Sequence, residues 1–353
     1  MTGRTFSADT VGPELVVRAS RFLLLSCVLR ERERGFGAGA GVRGGSGDSG
    51  RERGGREFDD RLLASSLRGR SPAFTVRAWA AGILGSVAAE YLDHPRPLAF
   101  AHRGGAARQP ENTLPAFDHA ARLGYAYLET DARSTADGKL IAFHDAGLSR
   151  ATDRAGQVRK LPWREVSAAL VGGAEPIPLL EDVLGTFPGL RFNIDLKDAG
   201  TVAPLAGVLK RTGAWDRVCI TSFSAARLLA AQRSLDRPVC LSITPAAFVA
   251  LRYLGQSASA LARGLVRSGA LCAQVPPQIA TRDFISRAHQ LGLQVHVWTL
   301  NTRAGIERAL DLGADGVMTD EVELLRDILA ERGQWHPRAL TQPSETSRTP
   351  VNC

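Results

Sequence analysis

Charged residues stand two positions apart at the ends of two apolar runs in the sequence. Glu129 and Asp131 form one pair, and Asp195 and Lys197 form the other. On a β-strand, side chains two residues apart point to the same face, and two carboxylates buried on one face are costly unless a cation balances them. The spacing predicts that Glu129, Asp131 and Asp195 bind a hard divalent cation, Ca²⁺ or Mg²⁺. The alternative interpretation is a solvated strand face.

Histidine and arginine follow apolar runs of the same kind. His102 and Arg103 lie in the stretch Ala-His-Arg-Gly-Gly, and His144 ends a later run. Because imidazole changes its charge near neutral pH, two histidines suit a general acid and a general base. Arg103 and Lys197 suit a phosphate group. A single histidine at a strand end is more often structural. These predictions therefore depend on charged residues standing at several strand ends at once.

Short apolar runs alternate with amphipathic stretches from Pro97 onward, which predicts β/α units and a parallel sheet. Nine runs are candidate strands: Leu98–Arg103, Tyr127–Ala132, Leu140–His144, Arg191–Leu196, Val218–Ser222, Val239–Ile243, Leu271–Val275, Gln294–Thr299 and Gly316–Thr319. The candidate helices are Thr113–Leu123, Ala203–Arg211, Ala225–Arg233, Arg282–Leu291, Ala304–Leu312 and Val322–Glu331. Thr113 is a candidate helix N-cap.

The second and third candidate strands are too close for a parallel connection. Seven residues separate Ala132 from Leu140, and they include the turn-forming pair Asp137-Gly138. A parallel crossover needs about a dozen residues, so this pair is predicted to be a hairpin. The eight remaining strands predict a TIM (β/α)₈ barrel with a small insertion, about residues 133–188, after the second barrel strand. Catalytic groups in such a barrel lie at the carboxyl ends of the strands, where the charged residues stand.

The chain divides into three segments by composition. Residues 1–92 are predicted to be a disordered Gly/Arg-rich tail with a short linker helix, since ten of the 21 residues from Gly35 to Gly55 are glycine. Residues 97–331 form the predicted barrel, and residues 332–353 a disordered C-terminal tail.

Composition and charge restrict the partners and the location. Of the 353 residues, 44% are hydrophobic and 23% charged, as in an ordinary globular protein. Residues 1–70 hold 13 arginines against nine acidic residues, which is half of the net charge of +8, and no dense basic stripe follows. We therefore expect no nucleic-acid partner. The N-terminal apolar stretch Phe22–Leu29 is too short to span a bilayer, so we expect no stable membrane insertion and a cytoplasmic location. The oligomeric state stays open.

The five cysteines show no pairing pattern. They are Cys27, Cys219, Cys240, Cys272 and Cys353, an odd number without a Cys-x-x-Cys motif. This argues against a zinc site and against a disulfide framework. Three of them, Cys219, Cys240 and Cys272, lie in apolar runs and are predicted to be buried reduced thiols.

A series of motifs in the first half of the barrel resembles the glycerophosphodiester phosphodiesterase family. In order, they are His102-Arg103-Gly104, Pro110-Glu111-Asn112-Thr113, Glu129-x-Asp131, Thr135-x-Asp137-Gly138 and His144-Asp145. The resemblance covers about residues 97–331. It implies a TIM barrel with a small insertion after the second strand, and hydrolysis of a small-molecule glycerophosphodiester to glycerol 3-phosphate and an alcohol.

The resemblance also implies roles for individual residues. His102 and His144 would be the acid–base pair, and Trp298 would line the glycerol side of the pocket. The remaining implied roles are metal binding by Glu129 and Asp131 and phosphate binding by Arg103 and Lys197. This chain has Asp195 where the family usually has glutamate.

Two alternative functions fit the same motifs. One is a phospholipase-type phosphodiesterase that acts on lysolipid or lipid, which a wide apolar rim around the pocket would favour. The other is a barrel that binds a phosphodiester without catalysis, which the loss of either histidine would indicate. Both His102 and His144 are present.

Overall fold

The computed structural model describes residues 90–253 and 269–338 of the chain. Eleven strands occur in these ranges: β1 Leu98–Ala101, β2 Tyr127–Ser134, β3 Leu140–Ala142, β4 Leu170–Val171, β5 Glu175–Pro176, β6 Arg191–Leu196, β7 Val218–Thr221, β8 Cys240–Ser242, β9 Ala270–Val275, β10 Gln294–Val297 and β11 Gly316–Thr319. Eight of them, β1, β2 and β6 to β11, run parallel, and the sheet closes because β1 pairs with both β2 and β11. The predicted TIM barrel is confirmed.

The insertion after the second barrel strand begins with the predicted hairpin. β3 runs antiparallel to the end of β2, with Ala142 opposite Ala132. Gly138 in the connecting turn has a φ of 77°, which glycine adopts readily. The rest of the insertion contains the β4–β5 hairpin and a small apolar core of its own, which includes Phe143 and Leu148. This core supports the segment beside the carboxyl end of β2.

Nine α-helices lie in the described ranges: α1 Leu114–Arg122, α2 Trp163–Val166, α3 Leu180–Thr186, α4 Val202–Thr212, α5 Ala225–Ser234, α6 Pro245–Tyr253, α7 Arg282–Gln290, α8 Arg303–Asp311 and α9 Val322–Glu331. Thr113 caps α1 as predicted, since its hydroxyl accepts a hydrogen bond from Ala116 N. The sequence analysis gave no bounds for α2, α3 or α6. Buried apolar faces, such as Phe117 of α1, pack against the barrel.

Several strands are shorter than predicted at their carboxyl ends. β1 ends at Ala101 instead of Arg103, because residues 102–104 form a 3₁₀ turn in which Arg103 has a φ of 51°. β10 ends at Val297 instead of Thr299. The residues removed from these strands, including His102 and Trp298, line the barrel mouth. Apolar pattern alone does not distinguish the last strand residue from the first loop residue.

The segments that flank the barrel are only partly described. Residues 1–89 and 339–353, which hold most of the predicted tails, lie outside the described ranges. Tyr91 is helical and fully buried, and it accepts a hydrogen bond on its carbonyl from Tyr127 Oη. Trp335 packs edge-on against Tyr125, and Arg338 N donates to Gly124 O. Residues 332–338 therefore pack on the barrel, so the predicted disordered tail does not begin at 332.

Within residues 90–253 and 269–338, no helix combines the length and apolar character that a bilayer crossing requires. The cytoplasmic location and the lack of a nucleic-acid partner stay predictions.

Candidate active site

The barrel places the predicted site residues around one pocket at the carboxyl ends of the strands. In the β2–β6 pairing, Asp131 lies opposite Asp195 and Glu129 lies opposite Asn193. The pocket encloses about 540 Å³, including its open mouth. Seven of the eight predicted residues line it: His102, Arg103, Glu129, Asp131, Asp195, Lys197 and Trp298. His144 follows β3, close enough to Asp131 and Asp195 to influence the pKa of both carboxyls.

One wall of the pocket is polar and the other is apolar. The apolar wall consists of Phe223, Ile243, Pro245, Phe248 and Trp298. The Phe223 and Trp298 rings meet edge to face with 5.6 Å between their centroids. Phe223 is 39% exposed, which is unusual for phenylalanine in this structure. A ligand with a charged end and an apolar end can therefore contact both walls.

The turn after β1 aims His102 and Arg103 into the mouth. Gly104 and Gly105 have φ values of 85° and 93°, which favour glycine. A Cβ on Gly104 would also lie only 2.9 Å from the backbone of Ala116 in α1. The two glycines of the His-Arg-Gly-Gly sequence are thus required by the backbone conformation and close packing of this turn.

Asp320, whose role the sequence analysis missed, orients His102. Its Oδ1 lies 2.7 Å from His102 Nδ1, and its Oδ2 accepts a hydrogen bond from Asn301 Nδ2 at 2.6 Å. Burial would lower the pKa of His102, but the carboxylates of Asp320 and Glu129 outweigh it and raise that pKa. His102 Nε2 faces the pocket, 3.8 Å from Glu129 Oε2. The position of Asp320 directly after β11 was the available signal in the sequence.

Arg103 contacts three acidic side chains. Its backbone N–H donates to Glu129 Oε2 at 2.9 Å. Its guanidinium lies 3.2 Å from Asp131 Oδ2 and 3.3 Å from Glu111 Oε2. The predicted phosphate-binding arginine is therefore held beside the predicted metal ligands.

A series of charged side chains in contact with one another connects the insertion to Arg103. His144 Nδ1 lies 2.7 Å from Asp145 Oδ1, and Arg150 binds both Asp145 and Glu111. Glu111 in turn contacts Arg103. His144 and His102 are thus each held at Nδ1 by an aspartate. The sequence analysis gave no role to Glu111, Asp145 or Arg150.

Asn112 supports the floor of the site and was also missed. It is buried, with a φ of 59°. Its Nδ2 donates to Asp131 Oδ2 at 2.9 Å, and its Oδ1 accepts a hydrogen bond from Thr130 Oγ1 at 2.8 Å. Asparagine tolerates this left-handed conformation better than most residues. Asn112 therefore fixes the orientation of the Asp131 carboxylate.

Lys197 lies between the two aspartates that the β2–β6 register aligns. Its Nζ is 2.9 Å from Asp131 Oδ1 and 2.7 Å from Asp195 Oδ2. The other oxygen of Asp195, Oδ1, is buried and has no hydrogen-bond partner among the described residues. Lys197 thus pairs with carboxylates in this arrangement, in addition to facing the pocket where a phosphate would bind.

Burial and neighbouring charges shift the pKa values of the three carboxyls in different directions. Burial, together with the nearby Asp131 charge, raises the pKa of Glu129 to about 7. Burial also raises the pKa of Asp195 against the opposing effect of Lys197. For Asp131, Lys197 and Arg103 outweigh burial and hold the pKa well below its usual range. If all three carboxyls were ionised, their three negative charges would exceed the two positive charges of Arg103 and Lys197.

The chemistry of these donor groups suits a divalent cation. The donors are three carboxylates without a thiolate, which suits a hard ion, and Asp195 Oδ1 is a buried acceptor without a donor. In the described parts of the chain, Glu129, Asp131 and Asp195 do not form a compact cage, because no choice of one oxygen from each brings all three within 4.8 Å of one another. Lys197 separates two of the three.

The fold and the pocket define a class of protein: a (β/α)₈ barrel hydrolase with imidazoles, carboxylates and basic side chains at its carboxyl-terminal mouth. The glycerophosphoryl diester phosphodiesterase family model matches residues 102–324, and the chain belongs to this family. It is therefore a phosphoric diester hydrolase, as predicted.

Individual relatives agree with this assignment. A Mycobacterium tuberculosis protein named probable glycerophosphodiester phosphodiesterase 2 is 38% identical over 262 residues, covering 71% of this chain and 97% of that protein. A human protein named lysophospholipase D is 28% identical, covering 65% of this chain and 84% of that protein. The structure of an Oleispira antarctica phosphodiesterase in complex with its product sn-glycerol-3-phosphate superposes with a TM-score of 0.58 at 23% identity, covering 67% of this chain and 97% of that one.

Proposed function

We propose that this chain hydrolyses glycerophosphodiesters to glycerol 3-phosphate and an alcohol, with His102 and His144 as the acid–base pair and with a bound divalent cation. The observation that carries the proposal is that His102 lines a pocket of acidic and basic side chains and His144 lies near its Asp131 and Asp195, with each imidazole held at Nδ1 by an aspartate. The product named for the Oleispira antarctica structure supports the same substrate class.

The two histidines divide the proton transfers. Asp320 holds His102 in the tautomer that carries its proton on Nδ1, so that Nε2 is the atom that exchanges protons in the pocket. Asp145 holds Nδ1 of His144 in the same way. One imidazole deprotonates the nucleophile, either water or the glycerol 2-hydroxyl, as a new P–O bond forms. The other protonates the leaving alkoxide as the old P–O bond breaks. If the 2-hydroxyl attacks, the first product is a cyclic phosphate, and water must then add to phosphorus and break the P–O bond to the 2-oxygen to give glycerol 3-phosphate.

Arg103 and Lys197 bind the phosphate, and Trp298 lines the glycerol side of the pocket. Glu129, Asp131 and Asp195 would hold Ca²⁺ or Mg²⁺. When bound, such an ion stabilises the charge that develops on the phosphoryl oxygens. The unpaired Oδ1 of Asp195 and the elevated pKa of Glu129 support this ligand set.

The test is release of glycerol 3-phosphate from several glycerophosphodiesters in a coupled assay, with and without chelator. We expect chelator to abolish turnover and added Ca²⁺ or Mg²⁺ to restore it. His102→Ala and His144→Ala should each lower kcat by about 10²–10⁴-fold with little change in thermal stability. His94→Gln is the matched control, because the hydrogen bond that His94 makes within the described ranges is to the neighbouring Pro95 carbonyl, and His94 does not line the pocket. Normal turnover in either alanine variant, or turnover unaffected by chelator, would contradict the proposal.

A lysophospholipid is the second candidate substrate. The exposed ring of Phe223 and the Phe248 and Trp298 side chains form an apolar wall beside the polar one, and one relative is named lysophospholipase D. The same assay with a lysophospholipid and with the deacylated diester of the same alcohol distinguishes the two. A higher kcat/KM for the lysolipid that falls in Phe223→Ser would favour the lipid substrate.

A further inference from the structure

Three cysteines from neighbouring strands meet inside the barrel. Cys219 on β7, Cys240 on β8 and Cys272 on β9 are all fully buried and reduced. Their three Sγ atoms lie within 4.8 Å of one another, and the Sγ atoms of Cys219 and Cys272 are 3.8 Å apart. Gln274, two residues beyond Cys272 on the same face of β9, lines the active-site pocket. The cluster therefore lies one layer below the catalytic mouth.

A fully buried histidine faces this cluster. His296 Nε2 lies 3.2 Å from Gln294 Oε1, whereas its Nδ1 has no hydrogen-bond partner among the residues that the structure describes. A Cβ on Gly316 of β11 would come within 3.0 Å of His296 Cδ2. Nδ1 is on the opposite side of the ring from Cδ2, on the side of β9, where the imidazole interacts with Cys272. No ring nitrogen of His296 lies within 4.8 Å of all three Sγ atoms, so sharing an ion with them requires the ring to move towards Cys219 and Cys240.

A second unsatisfied group lies against the same thiols. The Tyr91 hydroxyl is fully buried and, within the described ranges, has no hydrogen-bond partner. Tyr91 packs in one apolar cluster with all three cysteines. Buried polar atoms without a partner are rare, and here a donor and an acceptor without partners flank the same three sulfur atoms. A bound ion between the sulfurs would give both groups a function.

We propose that Cys219, Cys240, Cys272 and His296 bind a structural zinc ion in the interior of the barrel. Three thiolates and one imidazole are a recognised ligand set for closed, four-coordinate zinc sites. With Zn–S bonds of about 2.3 Å, sulfur atoms in a tetrahedral site lie about 3.8 Å apart, which matches the separation of Cys219 and Cys272. Each Zn–S bond replaces an S–H bond, and the thiol proton leaves to water.

The surroundings favour zinc over a monovalent soft ion. Zn²⁺ with three thiolates leaves one negative charge, whereas Cu⁺ would leave two, and the cost of a buried charge rises steeply with its size. The Tyr91 hydroxyl can donate to one thiolate and so reduce the remaining cost. Gln294 accepts the Nε2 proton of His296, which keeps the Nδ1 lone pair available to the ion.

The first experiment measures the metal content of the full-length chain. Protein is produced with zinc in the medium, exchanged into metal-free buffer and analysed for zinc before and after denaturation. We expect one zinc ion per chain that denaturation releases. Because the site is enclosed, cobalt is introduced by refolding the denatured chain with Co²⁺, and thiolate-to-cobalt charge-transfer absorption should appear. A folded chain without denaturation-released zinc and without this absorption overturns the proposal.

Variants separate this site from the catalytic mouth and from simple thiol packing. Cys240→Ser and His296→Gln should lower the zinc content and weaken or shift the cobalt absorption, whereas Cys353→Ser, a cysteine outside the described ranges, should change neither. Glu129→Gln should also keep the zinc, which distinguishes it from any ion at the carboxylates. If a cluster variant does not fold, the parent chain still decides the question through its metal content. A Cys219–Cys272 disulfide, seen as a mass two hydrogens lower, contradicts zinc binding.

Discussion

Asp320 provides a sharp test of how the site orients His102. Its two carboxylate oxygens face two donors, His102 Nδ1 at 2.7 Å and Asn301 Nδ2 at 2.6 Å. The Asn301 amide cannot rotate to offer its oxygen, because that oxygen accepts the backbone N–H of Asp320 at 2.9 Å. In Asp320→Asn, the new amide NH₂ must therefore face a donor at either His102 or Asn301. The His102 ring therefore either loses its partner at Nδ1, or accepts a hydrogen bond there from the new NH₂ and carries its proton on Nε2, the atom that has to accept one in the pocket.

The size of the effect follows from the bond that is lost. A hydrogen bond with a charged partner contributes about 1.5–3 kcal/mol, and about 1.4 kcal/mol corresponds to a factor of ten in rate. We therefore expect kcat/KM of Asp320→Asn to fall by roughly 10- to 100-fold. The fold should persist, because Asp320 is only partly buried and lies in the loop after β11.

The assay is glycerol 3-phosphate release with the best substrate, together with thermal unfolding of each variant. The double variant Asp320→Asn/Asn301→Asp supplies an acceptor for the new amide NH₂ and should recover part of the lost kcat/KM. Asp283→Asn, on the exposed side of α7, is the matched control. If Asp320→Asn keeps the parent kcat/KM while folded, Asp320 does not orient a proton-transferring His102. If the double variant has the same kcat/KM as Asp320→Asn, Asp320 contributes through its negative charge and not by orienting His102.

Three further predictions concern metal binding, the site floor and the N-terminal boundary. Asp195→Asn should raise the Ca²⁺ or Mg²⁺ concentration for half-maximal activity, and Asp195→Glu should be tolerated. An unchanged titration midpoint in Asp195→Asn would mean that Asp195 only pairs with Lys197. Asn112→Ala should lower the free energy of unfolding by about 3 kcal/mol, measured by urea denaturation, because it removes the hydrogen bond that Thr130 Oγ1 donates and one of the hydrogen bonds to the Asp131 carboxylate; a loss below the measurement error would refute this. A chain that begins near Ala89 should fold and keep its activity, and failure of that chain would show that the preceding tail is required.

Much of the active site could be predicted because barrel geometry converts sequence position into location. Residues at the ends of parallel strands converge at one mouth, so Glu129, Asp131 and Asp195 could be grouped without any contact information. The supporting residues were harder to find. Asn112 and Asp320 lie in loops, where no periodic pattern indicates which way a side chain points. Their roles depend on contacts with residues 19 and 218 positions away in the sequence.

The contacts of Lys197 show what the sequence does not reveal about a single side chain. Its position on the face of Asp195 was visible from the two-residue spacing. That it also reaches Asp131 depends on the β2–β6 register, which sets Asp131 beside Asp195. Register results from packing along two whole strands, so a local pattern does not determine it.

The sequence by itself determined the barrel, its insertion and the set of groups at the mouth, because these follow from apolar periodicity, turn chemistry and the order of motifs along the chain. The tertiary structure alone decided which groups touch. Cys219, Cys240 and Cys272 show this most clearly: they are 21 and 32 positions apart and carry no local motif. They meet only because β7, β8 and β9 are neighbours in a closed sheet and each turns one thiol inward. Side-chain proximity across strands is a product of sheet closure and register, and neither is encoded in the spacing of any one segment.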